Sequence, residues 1–123
     1  MSGRREELYL LTKCGHGRGF GNADWRPASL LKSIERSLRR LATDRLDLIQ
    51  LHSCSLEHLK KGDVIAALER ARELGWVRYI GYSGDGGAAR YAIECGRFDA
   101  LQTSVSIADQ EALTRTLPLA RKR

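Results

Sequence analysis

The chain has 123 residues, with 21 basic and 15 acidic side chains and therefore a formal net charge of +6. Hydrophobic residues make up 42% of the sequence and charged residues 29%, a balance typical of a globular chain and unlike that of a disordered one. No apolar run approaches the ~20 residues that cross a bilayer, and the first residues lack the apolar stretch of a secretory signal. We therefore expect a single domain over residues 1–123 that does not enter a membrane.

The cysteines and the charge narrow the cellular setting. Cys14, Cys54 and Cys95 are an odd number, lie far apart and form no C-x-x-C pair. This pattern argues against a disulfide scaffold and favours a reducing compartment, so we expect a cytoplasmic protein. The positive net charge is compatible with nucleic acid, a phosphorylated cofactor or an acidic surface as a binding partner, and it does not discriminate among them.

Short apolar segments alternate along the chain with patterns of helical period. The predicted strands are residues 8–13, 46–52, 77–83 and 98–104. The predicted helices are residues 30–41, 63–75, 88–95 and a last helix that begins near Asp109 and that Pro118 should kink or divide. Strands that alternate with helices pair in parallel through right-handed crossovers, so the order predicts an α/β fold of four strand–helix units.

Each predicted strand ends in a polar side chain. These side chains are Lys13, His52, Ser83 and Gln102. In parallel α/β folds the functional site lies at the carboxyl ends of the strands. The sequence therefore predicts a site at one rim of a parallel sheet.

Four motifs, taken in order, resemble those of a known family. They are Leu11-Thr12-Lys13, the stretch SLRRLATDRLDL at residues 37–48 that runs on to Leu51-His52, GWVRYIGYS at residues 75–83, and Gln102 on the following strand. Together they are similar to the aldo/keto reductases, NADP(H)-dependent carbonyl reductases built as (β/α)8 barrels. The second and third motifs are the specific ones, and the match runs from about residue 9 to residue 119.

The resemblance implies a fold and a chemistry. The fold is half of a TIM-type barrel, a (βα)4 unit running from the family's third strand to its sixth helix, since 123 residues are too few for the roughly 250 of a whole barrel. The chemistry is reduction of an aldehyde or ketone by NADPH, with a tyrosine as the acid. Lys13 matches the lysine that lowers the tyrosine pKa, His52 matches the histidine that positions the carbonyl, and Ser83 and Gln102 match positions that hold the nicotinamide carboxamide.

The chain also departs from the family pattern. The catalytic tyrosine and aspartate are expected before Met1, and the last two strands after Arg123. Gly84 stands where many members have asparagine, which removes one amide contact. We therefore expect reductase activity that is weak or lost, and the alternative is a non-catalytic half-barrel module that serves self-assembly or ligand binding.

The missing half predicts self-association. A four-stranded sheet with helices on one side leaves its other face open, and by alternation Tyr9, Leu11, Leu48 and Gln50 belong to that face. Exposed apolar surface and unpaired strand edges are both rarely left uncovered. We expect a homo-oligomer, most simply a dimer that assembles eight strands, with a nucleotide or a small carbonyl compound as its ligand.

Further patterns have competing interpretations. Cys14 and His16 face His52 and Cys54 across adjacent strand ends, a soft ligand set that zinc could use, but strand alternation turns Cys14 away from Lys13 and we expect no metal. The loop of Gly84, Gly86 and Gly87 around Asp85 is a weak candidate for anion binding. Asp47 either ties down nearby backbone or serves as a counter-charge to Lys13. Nucleic-acid binding is disfavoured because no aromatic residue accompanies the arginines, which are Arg36, Arg39, Arg40 and Arg45.

Overall fold

A computed structural model of the chain describes residues 4–16 and 22–123. The strands in these residues are β1 (Leu11–Cys14), β2 (Leu46–His52), β3 (Val77–Ser83) and β4 (Ala100–Gln102). The α-helices are α1 (Pro27–Leu41), α2 (Leu56–Lys61), α3 (Asp63–Glu73), α4 (Gly86–Glu94) and α5 (Leu117–Arg121). A short 3-10 helix (Arg5–Glu7) precedes β1, and a π-helix (Ala112–Thr116) leads into α5. No helix in the described part of the chain is long and apolar enough to span a membrane.

The strands form one parallel sheet in the order β1-β2-β3-β4, which confirms the predicted α/β arrangement of strand–helix units. Two rows of side chains follow from the strand register. One row runs from Lys13 to Gln50, Gly81 and Ala100, and the other joins His52, Ser83 and Gln102. Residues in register on parallel neighbours share a face, so both rows lie on the face without helices.

The core lies between the sheet and the helices. On β2 and β3, Ile49, Leu51, Ile80 and Tyr82 are buried on the helix side. The matching stripe on α1 is buried at four-residue spacing, as the helical pattern predicts, through Leu30, Ile34 and Leu38. The helix begins earlier than predicted, at Pro27, because proline suits the first helical turn and its missing N–H would be unpaired there anyway.

The face without helices is exposed unevenly. The register confirms that Leu11, Leu48 and Gln50 share this face. Leu11 is 59% exposed on the edge strand, but Leu48 and Gln50 on β2 are only 9% and 5% exposed. Their burial reflects Gly81 on β3, where a Cβ would lie 3.2 Å from the Gln50 Cγ and 3.3 Å from the Leu48 Cδ1. The apolar surface left open is therefore concentrated toward the edge strand and Tyr79 rather than spread over the sheet.

Three segments differ from the predicted elements. The α2 helix was not predicted. The Ser55 hydroxyl caps its first turn by accepting a hydrogen bond from the His58 backbone N–H, and Gly62, at φ 83°, ends the helix. The outer strands β1 and β4 are shorter than predicted. The last helix is divided beside Pro118 as predicted, since the π-helix gives way to α5 at Leu117, where a residue without an N–H is tolerated.

Asp47 ties down the amino end of β2. Its Oδ2 accepts hydrogen bonds from the Leu10 backbone N–H at 2.9 Å and from the Arg5 guanidinium at 2.8 Å. The same guanidinium donates to the Arg45 carbonyl at 2.8 Å. Of the two interpretations left open by the sequence, the structure selects backbone anchoring. Lys13, in contrast, lies in register with Gln50, three residues further along β2.

Candidate active site

The four predicted rim residues line one pocket. Lys13, His52, Ser83 and Gln102 stand at the carboxyl ends of β1 to β4, and they surround a volume of about 220 Å³. The other lining residues come from the loops after the strands: Ser53, Gly84, Asp85, Thr103 and Ser104. We call this the rim pocket. The structure thus brings together every residue that the sequence predicts for the site.

The rim pocket adjoins a shallow depression on the open face. This depression has a volume of about 480 Å³ and shares Lys13 and Gln102 with the rim pocket. Its floor includes the Gln50 and Leu11 side chains. Lys13 and Gln102 therefore line both cavities, and Leu11 adds an apolar side chain to the depression.

His52 is held as a neutral imidazole at the rim. Its Nδ1 is buried without a hydrogen-bond partner in the described residues, and its ring centroid lies 5.0 Å from that of His16. Burial lowers the pKa of His52 below its ordinary 6.5, and the positive charges of Lys13 and His16 lower it further. A neutral imidazole offers one N–H donor and one acceptor, and its N–H can donate to a carbonyl oxygen.

Backbone hydrogen bonds hold the strand ends together around the pocket. Ser53, which follows His52, adopts φ 56°, a left-handed conformation that residues other than glycine seldom adopt. Its N–H donates to the Ser83 carbonyl at 2.7 Å, and the Gly84 N–H donates to the Gln102 carbonyl at 3.0 Å. The turns after β2, β3 and β4 are therefore fixed relative to one another.

The glycine-rich loop before α4 carries a negative charge of its own. The Asp85 Oδ1 accepts hydrogen bonds from the Ser104 N–H at 2.6 Å and from the Thr103 hydroxyl at 2.7 Å. These bonds lower the pKa of the Asp85 carboxyl against the opposing effect of burial, so the group stays ionised. A fixed carboxylate at this helix start disfavours the anion-binding interpretation of the loop.

The possible zinc ligands separate to two sides of the sheet. Cys14 is buried in the core, as alternation from Lys13 predicts, and so is Cys54, whereas His16 and His52 meet at the rim. Burial raises the pKa of each thiol to about 12, with a smaller contribution from Cys54 to Cys14, so both stay protonated. Within residues 4–16 and 22–123, no three His, Cys, Asp or Glu side chains are grouped to hold a metal ion.

Sequence reasoning missed two contributions to the site. The sequence indicates His16 only as a possible zinc ligand, yet its ring packs against that of His52, and its centroid lies 6.3 Å from that of Trp25. Tyr82 was placed in a strand without a role, yet its hydroxyl reaches the Cys54 carbonyl at 2.7 Å. The partners of this bond are 28 residues apart, and no local pattern in the sequence links them.

The fold and the site define a class of protein. Four parallel strands, each leading into helical structure, with polar side chains gathered where the strands end, form part of a (βα) barrel of the kind that carries enzyme sites at that end. The sequence model of the aldo/keto reductase family matches residues 1–122. The chain therefore belongs to the aldo/keto reductase family.

Individual relatives agree with this assignment. The chain is 33% identical over 87 residues to the uncharacterized oxidoreductase YqkF of Bacillus subtilis, covering 68% of this chain and 28% of that protein. It is 36% identical over 88 residues to the aldo-keto reductase yakc [NADP(+)] of Schizosaccharomyces pombe, covering 68% and 25%. The holo structure of aldo-keto reductase AKR11C1 from Bacillus halodurans superposes with a TM-score of 0.81 at 29% identity, covering 98% of this chain and 41% of that one. The chain thus spans about a quarter of the length of the Bacillus subtilis and Schizosaccharomyces pombe proteins.

Proposed function

We propose that the rim pocket is part of an NADP(H)-dependent carbonyl reductase site. In this proposal Lys13 and His52 are catalytic, and Ser83 and Gln102 contact the cofactor. The observation that carries the proposal is that all four side chains line one pocket of about 220 Å³ at the carboxyl ends of adjacent strands. Family membership supplies the reaction class, reduction of aldehydes or ketones.

The residues present fit a nicotinamide carboxamide. Ser83 and Gln102 lie in register on β3 and β4, and a hydroxyl beside an amide offers both donors and acceptors to such a group. When bound, NADPH supplies the hydride of the reaction. The name of the Schizosaccharomyces pombe relative includes NADP(+), and the Bacillus halodurans relative was solved in a holo form, which supports a nucleotide cofactor here.

His52 and Lys13 have separable tasks in this proposal. The neutral imidazole of His52 donates its N–H to the carbonyl oxygen and so orients the substrate. The Lys13 ammonium favours the ionised form of a nearby phenol, which in the family is the tyrosine acid. Because the family pattern places this tyrosine and its aspartate outside the matched motifs, we propose that full turnover requires a completed barrel.

Cofactor titration tests the site directly. Trp25 packs against His16, which contacts His52, so its fluorescence reports on the rim, and a Trp76→Phe background removes the second tryptophan. NADPH should change the emission saturably. Lys13→Ala or His52→Ala should weaken or abolish this response, whereas Lys60→Ala, at an exposed position of α2, should leave it intact. A parent chain that shows no saturable response would overturn the proposal.

A second proposal concerns assembly. We propose that two copies of the chain associate through the open face and the edges of the sheet, which also describes the non-catalytic alternative of an oligomeric half-barrel module. The specific observation is apolar exposure on this face, 59% for Leu11 and 44% for Tyr79. Both β1 and β4 have one neighbouring strand each in the described residues, and twice four strands give the eight of a TIM-type barrel.

Light scattering measures this assembly. The parent chain should show twice its 13.8 kDa mass. Leu11→Lys should shift the population toward the monomer, because it places a charge on the apolar face, while Leu74→Lys, an exposed leucine beyond α3, should not. A monomeric parent would contradict self-association. A dimer without an NADPH response would favour the non-catalytic module.

We also propose a reducing, cytoplasmic location. The support is chemical: Cys14 and Cys54 are buried free thiols and Cys95 is a half-buried one. Free thiols need no oxidising compartment. Localising a tagged chain by fractionation would test the proposal, and recovery in a secreted fraction would contradict it.

A further inference from the structure

The Tyr82 side chain braces the ends of β2 and β3 from the core side. Tyr82 is 2% exposed and lies on the face opposite Ser83. Its hydroxyl donates a buried hydrogen bond to the Cys54 carbonyl at 2.7 Å. Burial raises the pKa of the phenol to about 12, with smaller effects from Cys54 and Asp85, so the hydroxyl remains a donor throughout the physiological range.

The same ring determines which residue follows Ser83. A Cβ at Gly84 would lie 2.5 Å from the Tyr82 Oη and 2.9 Å from its Cε1, closer than side-chain carbons approach other atoms. The backbone itself is no obstacle, since Gly84 is outside the left-handed region. The Tyr82 ring therefore leaves no room for a side chain at position 84, where many family members have asparagine.

The hydrogen bond from Tyr82 to the Cys54 carbonyl holds the turn that follows His52. The Cys54 carbonyl lies two residues beyond His52, and between them Ser53 holds φ 56°. A residue other than glycine persists in this conformation only where surrounding contacts hold it. The Ser53 N–H to Ser83 bond of 2.7 Å supplies one contact, and Tyr82 supplies the other.

We propose that Tyr82 is a positioning residue of the rim pocket: its bond to the Cys54 carbonyl orients the His52 turn, and its ring requires glycine at position 84. The inference rests on the proposed role of His52. The geometry it describes can nevertheless be measured without cofactor. In this chain the Tyr82 phenol thus occupies the space into which a side chain at position 84 would extend.

Ring resonances test the positioning. Tyr82→Phe removes the hydroxyl and keeps the ring, so we expect the His52 1H–13C ring cross-peak to shift while that of His58, outside the rim pocket, stays in place. Tyr79→Phe is the matched control, because Tyr79 is half exposed on the open face. A His52 cross-peak unchanged in Tyr82→Phe would overturn the positioning role, even if the variant unfolds more easily.

A double-mutant cycle tests the steric requirement. In the parent, Gly84→Ala should raise the unfolding equilibrium constant by about tenfold or more, since the new methyl group meets the phenol ring. In a Tyr82→Val background the ring is gone, and Gly84→Ala should raise the unfolding equilibrium constant by about threefold or less. An equal effect of Gly84→Ala in the two backgrounds would contradict the steric requirement for glycine at position 84.

These outcomes remain distinct from those of the cofactor titration. If Tyr82→Val prevents folding, the cross-peak of Tyr82→Phe still decides the positioning role. If NADPH fails to bind while the cross-peak shifts and the cycle shows coupling, the reductase proposal fails and the structural role of Tyr82 stands. If NADPH binds and neither effect appears, the positioning inference alone fails.

Discussion

The polar side chains at the two ends of β2 differ in their hydrogen bonding. At the amino end, the Asp47 carboxylate accepts hydrogen bonds from the Leu10 N–H and the Arg5 guanidinium. At the carboxyl end, the buried Nδ1 of His52 has no hydrogen-bond partner in the described residues. The carboxylate of Asp47 is hydrogen-bonded within the chain, whereas the buried Nδ1 of His52 is not bonded to any residue that the structure describes.

The electrostatic environments differ in the same way. Burial alone would raise the pKa of the Asp47 carboxyl, but the Leu10 amide and the Arg5 charge outweigh it, so the pKa falls below its ordinary 3.8. His52 lies instead beside like charges, and burial together with Lys13 and His16 lowers its pKa below 6.5. Asp47 is stabilised in its charged form and His52 in its neutral form.

This contrast separates stability from function along a single strand. In parallel barrels the amino-terminal ends of the strands serve stability and the carboxyl-terminal ends carry the site. An unsatisfied buried nitrogen costs free energy unless a ligand or a neighbouring group uses it. We therefore expect substitutions at Asp47 to act on folding, and substitutions at His52 and Lys13 to act on binding and titration.

Asp47→Ala should give the largest effect. The change leaves the Arg5 guanidinium without its carboxylate in a mostly buried setting and removes the acceptor of the Leu10 N–H. We expect the free energy of unfolding in urea to fall by about 3 kcal/mol at neutral pH. NADPH binding by the remaining folded protein should be unaffected, because Asp47 is outside the rim pocket.

Asp44→Ala is the matched control. Asp44 is exposed in the turn before β2, so its removal should change stability by no more than about 0.5 kcal/mol. A comparable loss in both variants would mean that general charge reduction, rather than the anchored carboxylate, stabilises this end. That result would remove the contrast between the two ends of the strand.

The sequence predicts some parts of this molecule well for physical reasons. Alternation and parallel pairing bring Lys13, His52 and Ser83 to one rim, because the strand period places every second side chain on one face. The α2 helix was missed since six residues with one buried side chain, Leu59, show no periodicity. The Tyr82 brace could not be predicted, because it depends on a contact made only after distant segments pack.

Lowering the pH should remove the stability contributions of His52 and Asp47 in separate pH ranges. A depressed histidine pKa means that the unfolded chain takes up the proton first, so the stability associated with His52 is lost as pH falls below about 6.5. The contribution of Asp47 persists to lower pH and is lost only below its ordinary 3.8. His52→Gln should flatten the stability profile between about pH 7 and pH 5, an effect smaller than that of Asp47→Ala.

Urea unfolding across this range measures the effect. His58→Gln is the control, since His58 pairs with the Ser55 hydroxyl at 2.9 Å and is outside the rim pocket. A profile that stays equally steep in His52→Gln would show that another group takes up the proton.

Lys13→Met should give the smallest effect on stability and a clear one on titration. Lys13 is exposed, so the free energy of unfolding should change by about 0.5 kcal/mol or less. Its positive charge nevertheless helps to lower the pKa of His52, and removing that charge should raise this pKa toward 6.5. The pH titration of the His52 ring resonance measures the shift, with Lys60→Met as control. A titration midpoint that does not move would show that the Lys13 charge does not contribute to the low pKa of His52.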